Sequence, residues 1–347
     1  MTLVRSKAPL RLGLAGGGTD VSPYSDRFGG FVLNVSINLY AHCTIELDRS
    51  QSSVAFVSLD IGEKFQSELA PAYPLVGPMI LHKGVYNRVV RDFNNGQPLP
   101  VRITTWADAP PGSGLGTSST LVVSIVSAFQ ELLALPLGEY DVAHLAYEIE
   151  RIDCGLTGGK QDQYAATFGG FNFMEFYSRD RVIVNPLRIR RNIENELQSS
   201  ILLYFTGSSR ESARIIDDQV RAVAADVSQD GGSLVAMHAV KQLAVDMKER
   251  LLRGDINGIQ QFIRSSWEAK KRMAATITTR EIDQLADAAI ASGAKAVKIS
   301  GAGGGGFMMM FVEPTHKHQV MKSLEGYPGQ FHRFEFTHQG AEAWTVI

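Results

Sequence analysis

Apolar positions along this chain follow two spacings. Residues 9–15, 31–37, 41–47, 53–58 and 101–106 are short runs rich in β-branched and aromatic residues that partly alternate with polar ones, which predicts strands. Residues 78–94 and 118–134 predict helices, and residues 138–153 set Val142, Leu145, Ile149 and Ile152 on one helical stripe. Another helix is expected after Gly158-Gly159, with strands at 171–176 and 200–206. From about 210 to 292 the pattern is almost wholly helical, with breaks at Gly254 and at 276–279. Alternation then returns. A strand at 295–300, a glycine run, a strand at 307–312, a helix at 315–324 and strands at 331–336 and 342–347 form a split β–β–α–β arrangement, like half of a ferredoxin-type sandwich. The expectation is an α+β N-terminal domain over 1–190 and a helix-plus-sheet C-terminal domain over 191–347, with no internal repeat.

Composition narrows the partners. With 347 residues, 44% apolar and 20% charged, the chain has enough material for a sizeable core and is not disordered. A formal net charge of −2 asks for neither nucleic acid nor an anionic membrane. Two cysteines, Cys43 and Cys154, make no disulfide framework and no CxxC pair, so a cytoplasmic location is expected. Arg11 interrupts the apolar part of the N-terminus, which does not read as a signal peptide. FMMMFV at 307–312 is far short of a membrane span. The eight histidines show no paired metal-ligand spacing, and the ten methionines read as core.

The 33 glycines are clustered. One cluster is Gly16-Gly17-Gly18-Thr19-Asp20, a second is Gly112-Ser113-Gly114-Leu115-Gly116-Thr117-Ser118-Ser119, and a third runs from Gly301 to Gly306. Glycine admits positive φ and lets a ligand approach bare amides. Placed before a helix start, such a loop can cradle an anion. The second cluster has that form. It reads equally as a turn whose Thr117 or Ser118 caps the helix. It lacks the lysine of the Walker A pattern, and the third cluster runs into a strand instead of opening a helix, which argues against a dinucleotide site.

The order and spacing of the three clusters resemble the galactokinase, homoserine kinase, mevalonate kinase and phosphomevalonate kinase superfamily over nearly the whole chain. APLRLGLAGGGTD resembles its first motif, PGSGLGTSS its ATP loop and KISGAGGGG its third motif. The AGGGTD form, the stretch Leu81-His82-Lys83 with Val85-Tyr86-Asn87-Arg88, and GGKQDQYAA are most similar to the bacterial heptose 7-phosphate kinases. The resemblance implies a two-domain fold, with a left-handed βαβ unit in the first domain and a ferredoxin-like second domain.

It also implies roles. The ATP phosphates would be held by Gly112, Gly114, Leu115, Gly116, Thr117, Ser118 and Ser119. Mg²⁺ would be held by Ser118 and Glu150, although on pattern alone Glu150 reads as part of a solvated helix face. Asp162 would be the catalytic carboxylate beside Arg11; on residues alone these are a first-turn acid and a strand-surface charge. Asp20, with Gly17 and Gly18, would meet the sugar, and Gly303 and Gly304 would line the substrate site. Phosphate anchors could be Lys83, Arg88, Ser208, Ser209 or Arg210, each of which also reads as a surface group.

The implied activity is transfer of the ATP γ-phosphoryl group to the anomeric hydroxyl of D-glycero-D-manno-heptose 7-phosphate. Rivals are a galactokinase- or fucokinase-like enzyme of an unphosphorylated sugar, an isoprenoid-pathway kinase and a non-catalytic sugar sensor. The implied partners are ATP and a sugar phosphate, with a homodimer as the candidate assembly. Galactokinase has Glu-His where this chain has Gly17-Gly18, which leaves room for a larger C6 substituent. Galactose is therefore expected to be phosphorylated poorly, and efficient turnover of galactose in an ADP-release assay would count against this reading.

Overall fold

The computed structural model describes residues 1–207, 212–226 and 232–347. The first half comprises β1 (Thr2–Ala15), α1 (Tyr24–Phe28), β2 (Gly30–Leu47), β3 (Ser53–Ser58), β4 (Glu63–Glu68), α2 (Ile80–Phe93), β5 (Val101–Ala107), α3 (Thr117–Leu133), α4 (Glu139–Tyr147), α5 (Gln161–Phe168), β6 (Phe171–Phe176) and β7 (Val182–Pro186). The second comprises α6 (Arg191–Ser199), β8 (Ile201–Phe205), α7 (Ser212–Asp226), α8 (Gly232–Arg253), α9 (Ile256–Lys271), α10 (Arg280–Ala291), β9 (Ala294–Ile299), β10 (Phe307–Val312), α11 (Lys317–Ser323), β11 (Gln330–His332) and β12 (Glu342–Thr345).

Two sheets organise these elements. The first has the order β12-β1-β2-β5-β3-β4, with β6 on the early half of β2 and β7 outside β6. Its ladders are antiparallel except β3 with β5, which lie parallel across the connection that carries α2. The second has the order β11-β8-β10-β9, antiparallel throughout. Numbered by appearance, that order is 4-1-3-2, the ferredoxin-like arrangement, with α7 to α10 inserted between its first two strands.

The sheets share a core. Phe307, Met309 and Phe311 of β10 pack in one cluster with Leu10, Leu12 and Leu14 of β1. Met308, Met310 and Val312 pack in another with Trp267, Ile282 and Leu285. A strand covered on both faces needs apolar residues at every position, and this is why FMMMFV does not alternate.

Several expectations change. The separate strands at 31–37 and 41–47 are one strand, β2, since residues 31–47 contain no glycine or proline; the ladder to β1 shifts register at Pro9/Arg11 and Gly13/Ala15. β4, β7 and α6 were not expected; β4, EKFQSE, is a polar edge strand with little apolar signal. The strand at 331–336 ends at His332, and a bridge from Phe336 to Ile37 carries the chain back to the first sheet. The strand at 342–347 does not join the second sheet; its residues pair with β1, Val4 opposite Thr345. The division into 1–190 and 191–347 therefore does not separate the sheets, since residues 342–345 complete the first one.

Backbone contact between the second and third glycine clusters fixes the remaining geometry. Phe307 N–H donates to the Ser113 carbonyl at 2.8 Å. Gly114 has φ +81°, and a Cβ there would strike the Ser300 carbonyl; a Cβ at Gly301 would strike Gly114 in turn. Gly62, by contrast, has φ +69° with open space around it. Gly62→Ala is expected to cost about 1–2 kcal/mol for its left-handed backbone alone, and Gly114→Ala clearly more. Thermal unfolding of both variants checks this; equal losses would contradict the contact.

Candidate active site

Strand alternation turns Leu10 and Leu12 into the core and Arg11 to the opposite face. That face meets the loop before α3. Gly116, the residue preceding α3, is left-handed at φ +82°, and no side chain caps the helix. The Thr117 hydroxyl is engaged with Ser113 Oγ and the Pro110 carbonyl instead. The first amides of α3 are thereby left without side-chain partners at the positive end of the helix dipole. They open on a cavity of about 570 Å³ lined by Gly114, Gly116, Ser118, Glu150, Asp162 and Asp20, among others.

Asp162 stands in the first turn of α5. Its Oδ1 accepts from Arg11 Nε at 2.7 Å and lies 2.6 Å from Arg11 Nη2. Oδ2 has no hydrogen-bond donor among the described residues. It lies 3.1 Å from where a Cβ of Gly116 would be, so Asp162 sits directly against the glycine loop before α3. Arg11 Nη1 also donates to the Gly114 carbonyl at 2.5 Å. Asp20 is buried and takes bonds from the amides of Gly18 and Gln161 and from Gln161 Nε2. Burial, and then the negative charge of Asp162, raise its pKa against those hydrogen bonds, which lower it.

Glu150 owes its place to a π-helical turn over Glu148–Asp153 that follows α4. The extra residue per turn rotates Ile152 out of the expected stripe to 62% exposure and carries Glu150 inward to 2%. Glu150 Oε2 accepts from Gln163 Nε2 at 2.7 Å, and Oε1 lies 3.2 Å from Arg151. Arg151 also donates to Ser119 Oγ and to the carbonyls of Leu156, Thr157 and Gly159. It straps the loop before α5 to the start of α3.

Comparison with known proteins agrees with this geometry. The pattern of the GHMP kinases N terminal domain matches residues 81–170, and that of the GHMP kinases C terminal domain matches residues 247–328. A Campylobacter jejuni protein described as D-glycero-alpha-D-manno-heptose 7-phosphate kinase is 47% identical over 346 residues, covering 100% of both chains. The chain belongs to the GHMP kinases. A crystal structure of a D-glycero-D-manno-heptose 1-phosphate kinase from Bacteroides thetaiotaomicron superposes with a TM-score of 0.83 at 46% identity, covering 99% of each chain. Lactococcus lactis galactokinase bound to galactose matches at TM-score 0.76 and 18% identity, over 98% of this chain and 95% of its own, a likeness of fold alone.

As a GHMP kinase the chain is an ATP-dependent phosphotransferase. The cavity gathers Arg11, Gly18, Asp20, Gly112, Gly114, Gly116, Thr117, Ser118, Ser119, Glu150 and Asp162 from the residues singled out in the sequence. Leu115 is a core residue that offers this region its carbonyl, which accepts from the Arg11 amide. Gly17 stands beside the wall near Lys270 and Gln161. Gly303 and Gly304 do not line the cavity; they pack on Ile277, and Gly301 with Ala302 line it instead. Lys83 does not line the cavity; its ammonium donates to the Val76 carbonyl and lies over the Phe65 ring. Arg88 is bound to Asp153 and Glu148 away from the cavity. Ser208, Ser209 and Arg210 lie outside the described residues. No helix among the described residues is long and apolar enough to cross a membrane.

Lys270 and Lys298 are buried and were not foreseen, because a lysine at a helix or strand position is ordinarily assigned to solvent. Lys270, near the end of α9, lines the cavity, and burial pushes its pKa down to about 8. Lys298 of β9 donates to the Leu14 carbonyl at 2.9 Å, and burial pushes it down to about 7. For Lys298 the unfolded chain holds more protons than the folded one between about pH 7 and the ordinary 10.5, so stability rises with pH across that window. Below about 7 the full cost of burying the charge is present. Lys298→Met is expected to flatten this rise, with its stability gain over wild type largest at pH 6 and shrinking toward pH 10. Denaturant unfolding across that range tests it; a pH-independent difference would contradict it.

Proposed function

We propose that this GHMP kinase phosphorylates the anomeric hydroxyl of D-glycero-D-manno-heptose 7-phosphate, giving the 1,7-bisphosphate, in the making of nucleotide-activated heptose. The observation that carries the reading is 47% identity over full length to a kinase described for that sugar phosphate. The AGGGTD turn supports it, since Gly18 and Asp20 border the cavity with no glutamate or histidine beside them.

The amides at the start of α3 bind the ATP triphosphate. Asp162, aligned by Arg11, accepts the acceptor hydroxyl's proton on its free Oδ2 as the sugar oxygen attacks the γ-phosphorus and ADP departs. Asp20 holds a sugar hydroxyl. Mg²⁺ fits the donors present: the Ser118 hydroxyl makes no hydrogen bond to the described protein, and Glu150 presents a buried carboxylate to the cavity. Among the described residues no group of three His, Cys, Asp or Glu could hold a metal, which suits an ion that takes most of its ligands from phosphate and water. When bound, Mg²⁺ neutralises charge on the phosphate oxygens.

Two measurements test this. Asp162→Asn is expected to lower kcat about 10²–10⁴-fold with little change in nucleotide affinity; retention of kcat would remove Asp162 from the mechanism. An ADP-release panel of heptose 7-phosphate, heptose 1-phosphate, galactose and fucose is expected to favour the first by kcat/KM. Preference for heptose 1-phosphate would instead support the acceptor named for the Bacteroides thetaiotaomicron protein.

A further inference from the structure

Three cations line the cavity among the described residues, and two are paired: Arg11 with Asp162 and Arg151 with Glu150. The third, Lys270, is buried with no carboxylate in ion-pair distance among the described residues, and its ammonium donates to the Gly301 carbonyl. Arg11 donates to the Gly114 carbonyl, and Gly114 and Gly301 pack backbone to backbone. Two cations are thus tethered to adjoining carbonyls of interlocked loops, next to the unpartnered amides of α3. A buried ammonium without a counter-charge is costly, and a site that holds one is prepared for an anion. The other charges acting on Lys270 are Asp20, Asp162 and Arg11, with Lys298 behind it.

We propose that Lys270 supplies, together with Arg11, a second cation to the phosphoryl group in transit between ATP and the acceptor. The assignment rests on the phosphoryl-transfer reading and not on which sugar is the acceptor. In the transfer, the bond from the acceptor oxygen to the γ-phosphorus forms and the bond to the bridging oxygen of ADP breaks. The acceptor's proton passes to Asp162. Lys270 exchanges no proton with the substrates during this step; its charge balances the non-bridging oxygens as they pass.

A consequence separates this role from a structural one. Without a ligand, burial leaves roughly half of Lys270 neutral near pH 8. An arriving triphosphate supplies the missing counter-charge, so nucleotide binding draws in a proton.

The test uses the full chain. Magnesium with the β,γ-imido analogue of ATP is titrated at pH 8 in buffers of different ionisation enthalpy. Wild type is expected to take up a fraction of a proton, and Lys270→Met to take up none of it. In turnover, Lys270→Met is expected to lose about 10²–10³-fold in kcat, with nucleotide affinity falling in step with the lost proton uptake and KM for the sugar phosphate changed less than about threefold. The variant is expected to melt no lower than wild type, because a buried charge has been removed. Should it fail to fold, Lys270→Arg keeps the charge without titrating near pH 8, and is expected to retain most of kcat while losing the proton uptake. Unchanged uptake in either variant overturns the proposal. So does a Lys270→Met enzyme with intact kcat and a raised KM for the sugar phosphate alone, which would put Lys270 at the acceptor's own phosphate. The nucleotide titration contains no sugar, so an error in the acceptor would leave its result standing.

Discussion

The backbone of Gly114 lies directly against that of Gly301, and the arrangement of the charged groups around the cavity follows from that approach. One loop belongs to the first sheet's side of the molecule and the other joins β9 to β10 of the second. Any side chain at the contact would separate them. With none, the carbonyl of Gly114 is presented to Arg11, that of Gly301 to Lys270, and the open end of α3 to the same space. The hydrogen bond from Phe307 to Ser113 ties the loop to a strand buried on both faces, so the site is anchored to the most densely covered element of the second sheet.

Much of this could be read from the sequence. β6 and β10 fall on the expected ranges because their apolar signals are strong and their starts are marked by glycines. Arg11, Asp162 and the second glycine cluster could be found by resemblance, and Asp162 does meet the glycine loop. Glu150 shows why pattern alone would have failed. A regular 3.6-residue repeat puts it on the solvent face, and only the π-helical turn, which leaves no signature in composition, brings it inward. The third glycine cluster looked like a ligand cradle, but most of its glycines serve loop-to-loop and loop-to-Ile277 packing. Lys83 looked like a phosphate anchor because its charge was visible while its partner, a main-chain carbonyl seven residues away, was not. Lys270 and Lys298 went unnoticed for the opposite reason: a lysine inside a helix or strand is normally assigned to solvent.

Charge in the cavity is arranged by separation of tasks. Arg151 serves architecture: its guanidinium fastens three carbonyls, a hydroxyl and Glu150, and leaves little capacity for a ligand. Arg11 fixes one oxygen of Asp162 and frees the other. Asp20 is satisfied by three donors, so its carboxylate is held in one orientation at the cavity wall, as the proposed sugar contact would require. Preorganisation of this kind means that few groups need to move when substrates bind.

The pairing of β12 with β1 bears on how the molecule is made. Thr345 is synthesised some 340 residues after Val4, yet they are opposite each other in one ladder. Until then β1 has β2 on one side and an unprotected edge on the other. An edge that stays open while the intervening residues are made is exposed to pairing with other nascent chains. The charged side chains of β1 there, Arg5 and Lys7, are the kind of residue that discourages such pairing, and Lys7 finds its native counter-ion only when Glu342 arrives.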